Sequence, residues 1–483
     1  MRATLTALCR LLLRIFFRRI DVLGAERVPD AGPVLYVLNH PNGLLDPLFI
    51  LCLSPRPVVF LAKAPLFHTF LIKHFVRAFE CLPVYRSTDG EDPSKNRASI
   101  EASIALLGAG RALALFPEGK SHSEPWIEPL KTGAARIALA ASARRADDSG
   151  DSGDSGDSGA AQPAPVRIIP VGLDYSEKTR FRSHALLVYG EPIVTPRVEL
   201  DAEFRPPHAA AEALTQAIAE ALARVTLQAR ESEAIELARD AQRIWAASER
   251  DLDPDATPLP SLDDEDESEA AQTRFELEYR LLAGYGQLRE HAPERLDAVI
   301  AQIRRYRAEV GLLGLAVDQP IRQRRRELVR ELLVLPLLAP LALLGSIVHA
   351  PAYRLIDWIA RRMAKQAAEV LATIKLTGGL LFFPATWILM MVAVGRTSGW
   401  TLGGATLVVL PISGYASPRF SERTSALIDR ARALWILLTR RDTAAWLVSE
   451  RAAIRAMILE LAARVETPEG VSVDGSEADA SGS

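Results

Sequence analysis

Apolar and charged positions are segregated along this chain. Residues 332–349 (LLVLPLLAPLALLGSIVH) carry no formal charge; nor do 376–395 and 400–415, which only Arg396 and three small residues separate. A membrane-crossing helix needs roughly 20 apolar residues, a length that 376–395 meets and 400–415 approaches. Basic residues border the runs: Arg322, Arg324, Arg325, Arg326 and Arg330 before the first, and Arg354, Arg361, Arg362, Lys365 and Lys375 before the second. Arg419, Arg423, Arg430 and Arg432 follow the third. The positive-inside bias assigns all three basic segments to the cytoplasmic side. The pattern therefore predicts a membrane module over 331–416, with a spanning hairpin at 376–395 and 400–415. Pro336 and Pro340 interrupt helical hydrogen bonding in 332–349, which is then expected to be re-entrant or in-plane.

Elsewhere the periodicity changes. In residues 1–20, Arg10, Arg14 and Arg18 share one helical face, with Leu8, Leu11, Leu12, Ile15 and Phe16 opposite, the pattern of an amphipathic helix anchored at an anionic membrane surface. Between 21 and 205, short apolar runs alternate with helical ones. Strands are expected at Val34–Leu38, Val58–Leu61, Ala112–Phe116, Val166–Val171 and Ala185–Tyr189, and helices near 45–53, 64–78, 93–109 and 131–145. Such alternation argues for an α/β layer fold, a mixed sheet flanked by helices. The Gly/Ser/Asp tract 147–165 reads as a low-complexity loop inside that domain. Residues 206–330 have a helical period broken by an acidic linker at 251–270, residues 417–467 predict further helices, and 468–483 a disordered tail.

Composition adds limits. The 483 residues, at roughly 150 per domain, suggest about three domains. With 57 basic and 60 acidic residues the net charge is −3, which gives no support for nucleic-acid binding. The three cysteines Cys9, Cys52 and Cys81 form no C-x-x-C pair and fit a reducing compartment. A mean hydropathy of +0.08 beside 24% charged residues reflects the segregation already described.

Two segments place polar residues directly after apolar strands, where α/β folds build their sites. In Val34–Pro47 the strand ends at Asn39-His40, turns through Pro41-Asn42-Gly43 and reaches Asp46. A His–Asp pair is the minimal general-base arrangement, because the carboxylate fixes the tautomer and stabilises the imidazolium. A capping Asp46 beside a core histidine would give the same spacing. The second segment, Ala112–Ser123, ends in Phe116-Pro117-Glu118-Gly119-Lys120-Ser121-His122. Its Gly-Lys-Ser is not a P-loop, since the required earlier glycine is Ala114. No G-x-S-x-G elbow and no zinc-type spacing appears.

Together these segments resemble the glycerolipid acyltransferase family, which includes lysophosphatidic acid and glycerol-3-phosphate acyltransferases. Four blocks occur in the family's order: Asn39-His40…Asp46-Pro47, Leu82-Pro83-Val84-Tyr85-Arg86, Phe116-Pro117-Glu118-Gly119…Ser121, and Ile168-Ile169-Pro170-Val171-Gly172-Leu173. The six-residue step from His40 to Asp46, where most of the family has five, is similar to the fungal-type glycerol-3-phosphate/dihydroxyacetone-phosphate branch, as are Gly119–Ser123 and Pro129–Ala134.

The resemblance implies acyl transfer from acyl-CoA or acyl carrier protein to a hydroxyl of glycerol 3-phosphate or 1-acylglycerol 3-phosphate, in phospholipid biosynthesis. His40 would be the base and Asp46 its orienter. Arg86, Gly119, Ser121 and Lys120 would bind the acceptor phosphate, with Lys131 a weaker candidate. Glu118 would bind the acceptor hydroxyl or hold Arg86. No metal and no further cofactor is implied, and membrane lipids are the expected surroundings, with the site facing the cytoplasm. The competing reading keeps the fold as a non-catalytic, membrane-anchored lipid-binding scaffold.

Overall fold

The computed structural model describes residues 2–69, 72–147, 164–178, 180–252, 268–318, 325–363 and 368–462. Most of the tract 147–165 and of the linker 251–270, Arg322, Arg324, Lys365 and the tail 468–483 lie outside the described residues.

In chain order the elements of the first part are α1 (Arg2–Phe16), β1 (Arg19–Leu23), β2 (Val34–Leu38), α2 (Leu45–Leu53), β3 (Val58–Lys63), α3 (Ile72–Ala78) and β4 (Leu82–Val84). They continue as α4 (Asn96–Gly108), β5 (Ala112–Leu115), α5 (Gly133–Asp147), β6 (Arg167–Tyr175), β7 (His184–Tyr189), β8 (Ile193–Val194) and α6 (His208–Arg224). Strands run β1-β7-β6-β2-β5-β3-β4, with β8 beside the start of β6. β2 through β6 are mutually parallel; β7 is antiparallel to β6, and β1 parallel to β7. β2 is the central strand, and all five of its residues are buried, as expected of an uninterrupted apolar run covered on both faces.

β1, β4 and the two-residue β8 have no counterpart among the expected strands. β1 alternates Arg19, Asp21 with Ile20, Val22 at a sheet edge, and its charges mask a strand of five residues. β4 has three residues including Pro83, a residue tolerated at edges. The expected helix 64–78 divides into a 3₁₀ turn at Ala64–Phe67 and α3.

The N-terminal helix also packs on the sheet domain. Cys9, Leu13, Phe16 and Phe17 are buried in the main core, Arg2 donates to the Val58 carbonyl and Arg10 to that of Cys52. The helix packs on α2 and β3 through Cys9, Leu13 and Phe16, while Leu8 and Leu11 on the face expected at a membrane surface stay exposed. At the other end the domain extends beyond residue 205. A Cβ on Gly172 of β6 would lie 1.7 Å from the Val225 carbonyl oxygen, so the chain leaving α6 is seated on the sheet itself.

The remaining helices are α7 (Ser232–Leu252), α8 (Ser268–His291), α9 (Pro293–Leu312), α10 (Arg325–Met363), α11 (Ala368–Ser398), α12 (Trp400–Thr439) and α13 (Arg441–Ala462). The chain divides into two units: 1–232, 264–272 and 325–427 form one, and 233–263, 273–324 and 428–483 the other. The expected helical region 206–330 is thus shared, because α6 completes the sheet domain. The second unit has its own core, with Leu237, Ile244, Ile303, Tyr306, Val310, Leu447 and Ile454 buried together. Within it Arg451 is fully buried and donates to Asp251 (2.6 Å), the Tyr306 hydroxyl (2.5 Å) and the Val317 carbonyl (3.3 Å).

In the first unit, α10 and α11 contain stretches long and apolar enough to cross a membrane, Arg330–Met363 and Thr373–Ser398. The proline-broken element expected at 332–349 is instead part of one continuous helix that carries Pro336, Pro340 and Pro351 internally. Isolated prolines remove single hydrogen bonds from a 39-residue helix, and neighbouring helices stabilise what is left. His349 shows how: buried, it donates from Nδ1 to the Gly345 carbonyl (2.8 Å) and accepts at Nε2 from Trp387 of α11 (2.9 Å). The 400–415 run is likewise not a separate segment. It opens α12, which follows α11 after Gly399 (φ +97°) and continues through Pro411 and Pro418.

Candidate active site

Sheet order assembles the site. β2 and β5 are neighbours, with Val37 opposite Leu115, so the loops leaving their C-terminal ends run side by side. The first carries His40 and Asp46, the second Glu118 to Lys131. β6 flanks β2 on the other side and ends at Tyr175. Asn39 extends that pairing through its side chain: Nδ2 donates to the Leu173 carbonyl (3.0 Å), and Oδ1 accepts from the Leu173 N–H (2.7 Å).

His40 Nδ1 lies 2.8 Å from Asp46 Oδ2. The six-residue step is absorbed by the turn, because Asp46 Oδ2 also accepts the Asn42 N–H at 2.7 Å and the Asp46 N–H donates to the Asn42 carbonyl. Asp46 Oδ1 accepts from the Tyr175 hydroxyl at 2.6 Å. Asp46 is wholly buried in the first turn of α2. Burial pushes its carboxyl above the ordinary range, and the bonds from His40, Tyr175 and the Asn42 N–H oppose that rise. Burial and the Asp46 charge push the Tyr175 hydroxyl well up, so it stays a donor. The imidazole lies flat on Phe116, 3.6 Å between ring centroids with planes 3° apart. Pairing through Nδ1 holds the proton there and leaves Nε2 as the basic nitrogen.

Glu118 does not reach out toward an acceptor or hold Arg86. Its buried carboxylate accepts the His40 N–H at Oε1 (3.1 Å), and at Oε2 the Glu128 N–H (2.9 Å) and a short bond with His122 Nε2. The His122 N–H in turn donates to the His40 carbonyl (3.2 Å). Glu118 therefore ties the two loops together by satisfying backbone donors that burial would otherwise leave unpaired. The Gly119 N–H closes a turn onto the Phe116 carbonyl instead of pointing at a ligand. Glycine is favoured there because its φ is +74°, and the Lys131 side chain packs over the space a Cβ would take.

Three cations border this loop. Arg86 sits two residues beyond β4, donates from Nη1 to the Gly119 carbonyl (2.6 Å), and pairs with Asp89 at 2.7 and 2.9 Å. That pairing holds the Asp89 carboxyl below its usual range. Lys131 stands over Gly119, and Lys120 lies 3.3 Å from Glu128 on the exposed side. Ser121 is half-buried between Lys120 and His122.

Sequence reading passed over Asn39, Asn42, Phe116, His122 and Tyr175 as functional groups. Only His122, four residues after Glu118, had a local signal. Apolar helices also reach the site, since the Leu44 N–H donates to the Thr373 hydroxyl of α11 (3.2 Å) and Leu376 packs on the main core.

This geometry agrees with what the chain is similar to. Residues 19–174 match the family model described as Acyltransferase, and 264–469 that of the glycerol-3-phosphate acyltransferase 2 C-terminal domain. An uncharacterized acyltransferase of Schizosaccharomyces pombe is 25% identical over 80% of this chain and 65% of its own length. Glycerol-3-phosphate O-acyltransferase 2 of Saccharomyces cerevisiae is 25% identical over 62% of this chain and 39% of its own. A chloroplastic 1-acyl-sn-glycerol-3-phosphate acyltransferase of Brassica napus is 28% identical over 25% of this chain and 34% of its own. The chain thus spans less than two thirds of each of these relatives. With both models matched in order and the four blocks gathered around one sheet, the chain carries an acyltransferase domain and is similar to the fungal-type glycerol-3-phosphate acyltransferases.

Proposed function

We propose that this protein transfers a fatty acyl group from a thioester, acyl-CoA or acyl carrier protein, to a hydroxyl of glycerol 3-phosphate at a membrane surface. The observation that carries the proposal is the His40 imidazole, held at Nδ1 by a buried Asp46 and presented at Nε2.

An alcohol is too weak an acid to ionise at neutral pH, so its attack on a thioester needs a base in the transition state. The acceptor hydroxyl gives its proton to His40 Nε2 as its oxygen bonds to the carbonyl carbon. The carbon–sulfur bond then breaks, and the thiolate leaves, taking up that proton. Asp46 stabilises the transient imidazolium, and no acyl-enzyme, metal or further cofactor enters. Arg86 and Lys131, both at Gly119, give the acceptor phosphate a cationic setting. Glycerol 3-phosphate is the preferred acceptor because the C-terminal match and the yeast relative bear its name; 1-acylglycerol 3-phosphate is the competitor, favoured by the plant relative's name.

The contact of α11 with the Leu44 loop supports entry of the acyl chain from the apolar helices. The many basic residues at their ends, Arg354, Arg361, Arg362 and Lys375 among them, support a cytoplasmic-facing site.

The test is acyl transfer by membranes carrying the full chain, supplied with palmitoyl-CoA and each acceptor in turn. His40→Ala should lower transfer by about 10²–10⁴-fold while leaving membrane association intact. Transfer undiminished in that variant would refute the assignment.

A further inference from the structure

At the same end of the sheet as His40, but outside the constellation described above, the β6–β7 connection carries Phe181 and Arg182. Arg182 has a positive φ (65°) and its side chain is more than nine-tenths buried. It bonds Glu422 of α12 through Nε (2.7 Å) and Nη2 (3.0 Å), while its buried Nη1 has no partner among the described residues. Glu422 lies three residues, nearly one helical turn, beyond Arg419, which places Arg419 on the same face. Arg419 lies over the Tyr415 ring (3.5 Å to the centroid), and its Nη1 is also buried, without a partner among the described residues. Tyr353 of α10 closes the group through its ring contact with Phe181. One carboxylate thus pairs with Arg182 beside a second guanidinium, Arg419, and each arginine keeps a buried Nη1 with no acceptor among the described residues.

Burying such a donor costs free energy that only an acceptor returns. Burial, and then the nearby Arg182 charge, push the Arg419 guanidinium below its ordinary range, as expected where positive charge exceeds negative. The neighbouring basic residue Arg423 is already matched by Glu331 and adds no free charge. The surroundings also indicate the source of the anion. α10 and α11 expose large apolar residues, Leu337, Ile347, Ile388 and Leu389 among them, so an anion arriving here comes from beside an acyl phase.

We propose that Arg182 and Arg419 form a binding site for the phosphate of a membrane lipid headgroup, distinct from the acceptor-phosphate region at Arg86 and Lys131. A phosphate suits the pair because it carries several anionic acceptor oxygens for guanidinium donors, which a neutral headgroup lacks. The site would seat the catalytic domain on anionic lipid at the level where acyl chains are delivered.

The test uses the full chain in detergent micelles on a His40→Ala background, so that binding is read independently of acyl transfer. Three probes are titrated, dioctanoyl phosphatidate, dioctanoylglycerol and inorganic phosphate, with thermal protection and retained lipid by native mass spectrometry as readouts. Phosphatidate should bind, and Arg419→Gln should weaken it by about tenfold or more, the scale of one lost charge-assisted bond. Arg86→Ala should leave this binding unchanged, which separates the site from the catalytic one. Glu422→Gln, which removes the competing carboxylate, should tighten it. A merely structural ion pair would instead give a less stable protein with no gain in affinity. Equal binding by wild type and Arg419→Gln overturns the proposal, as does loss of binding in Arg86→Ala or full protection by inorganic phosphate alone.

Discussion

Tyr175→Phe isolates one hydrogen bond under the catalytic pair. The hydroxyl donates to Asp46 Oδ1 at 2.6 Å, and the ring packs between Phe17 and Phe49 (5.8 Å from each), so phenylalanine keeps the packing and removes only the donor. Hydrogen bonds to charged groups contribute about 1.5–3 kcal/mol, and this one acts on the ionised form of a fully buried carboxylate. Asp46 is already raised by burial, and Tyr175 is among the groups that lower it, so the substitution raises it further. Transfer needs Asp46 ionised to support the His40 imidazolium. Activity is therefore present above the Asp46 titration and lost as pH falls through it. At 1.36 kcal/mol per tenfold, the acid limb of kcat/KM for the variant should move to higher pH by about one to two units, with a smaller change on the plateau. The assay is thiol release from palmitoyl-CoA with glycerol 3-phosphate across pH 5–8, with thermal unfolding as a control on folding. An acid limb that stays in place in a folded variant would refute the reasoning, because it would mean that the bond does not bear on the ionisation governing catalysis.

Two further substitutions test other parts of the structure. Glu118→Gln puts an amide N–H against a backbone donor, His40 N–H or Glu128 N–H, at a cost of about 1–3 kcal/mol. It should lower kcat about tenfold with little change in the acceptor KM, whereas a Glu118 that bound acceptor would show the loss in KM. Arg451→Met leaves the buried Asp251 without its partner and should destabilise the second unit by about 3–5 kcal/mol, read as an earlier transition in urea unfolding.

Local sequence was sufficient wherever the chemistry is carried by neighbours in the chain. Val34–Leu38 could only be a central strand, because its unbroken apolar run needs cover on both faces. The polar residues that follow it had to emerge at a strand end, so His40 and Asp46 were legible together. Long uncharged runs likewise marked α10 and α11, since apolarity over such lengths has few uses. Prolines misled there, because their local cost is outweighed by contacts such as His349 with Trp387, which no window of sequence contains. The arginines of α1 marked an amphipathic helix without showing what its faces meet. An amphipathic pattern leaves open what each face meets; here Cys9, Leu13 and Phe16 meet α2 and β3, and Leu8 and Leu11 stay exposed. Roles set by sheet order were beyond reach altogether. Tyr175 meets Asp46 only because β6 lies beside β2, and Glu118 supports His40 only because β5 lies on the other side. Arg182 and Glu422 stand 240 residues apart and meet through tertiary packing alone. The sequence by itself determined which groups could do chemistry and which segments would be buried. The tertiary structure decided which of those groups face one another, because hydrogen bonds and ion pairs act over a few ångströms of space, irrespective of separation along the chain.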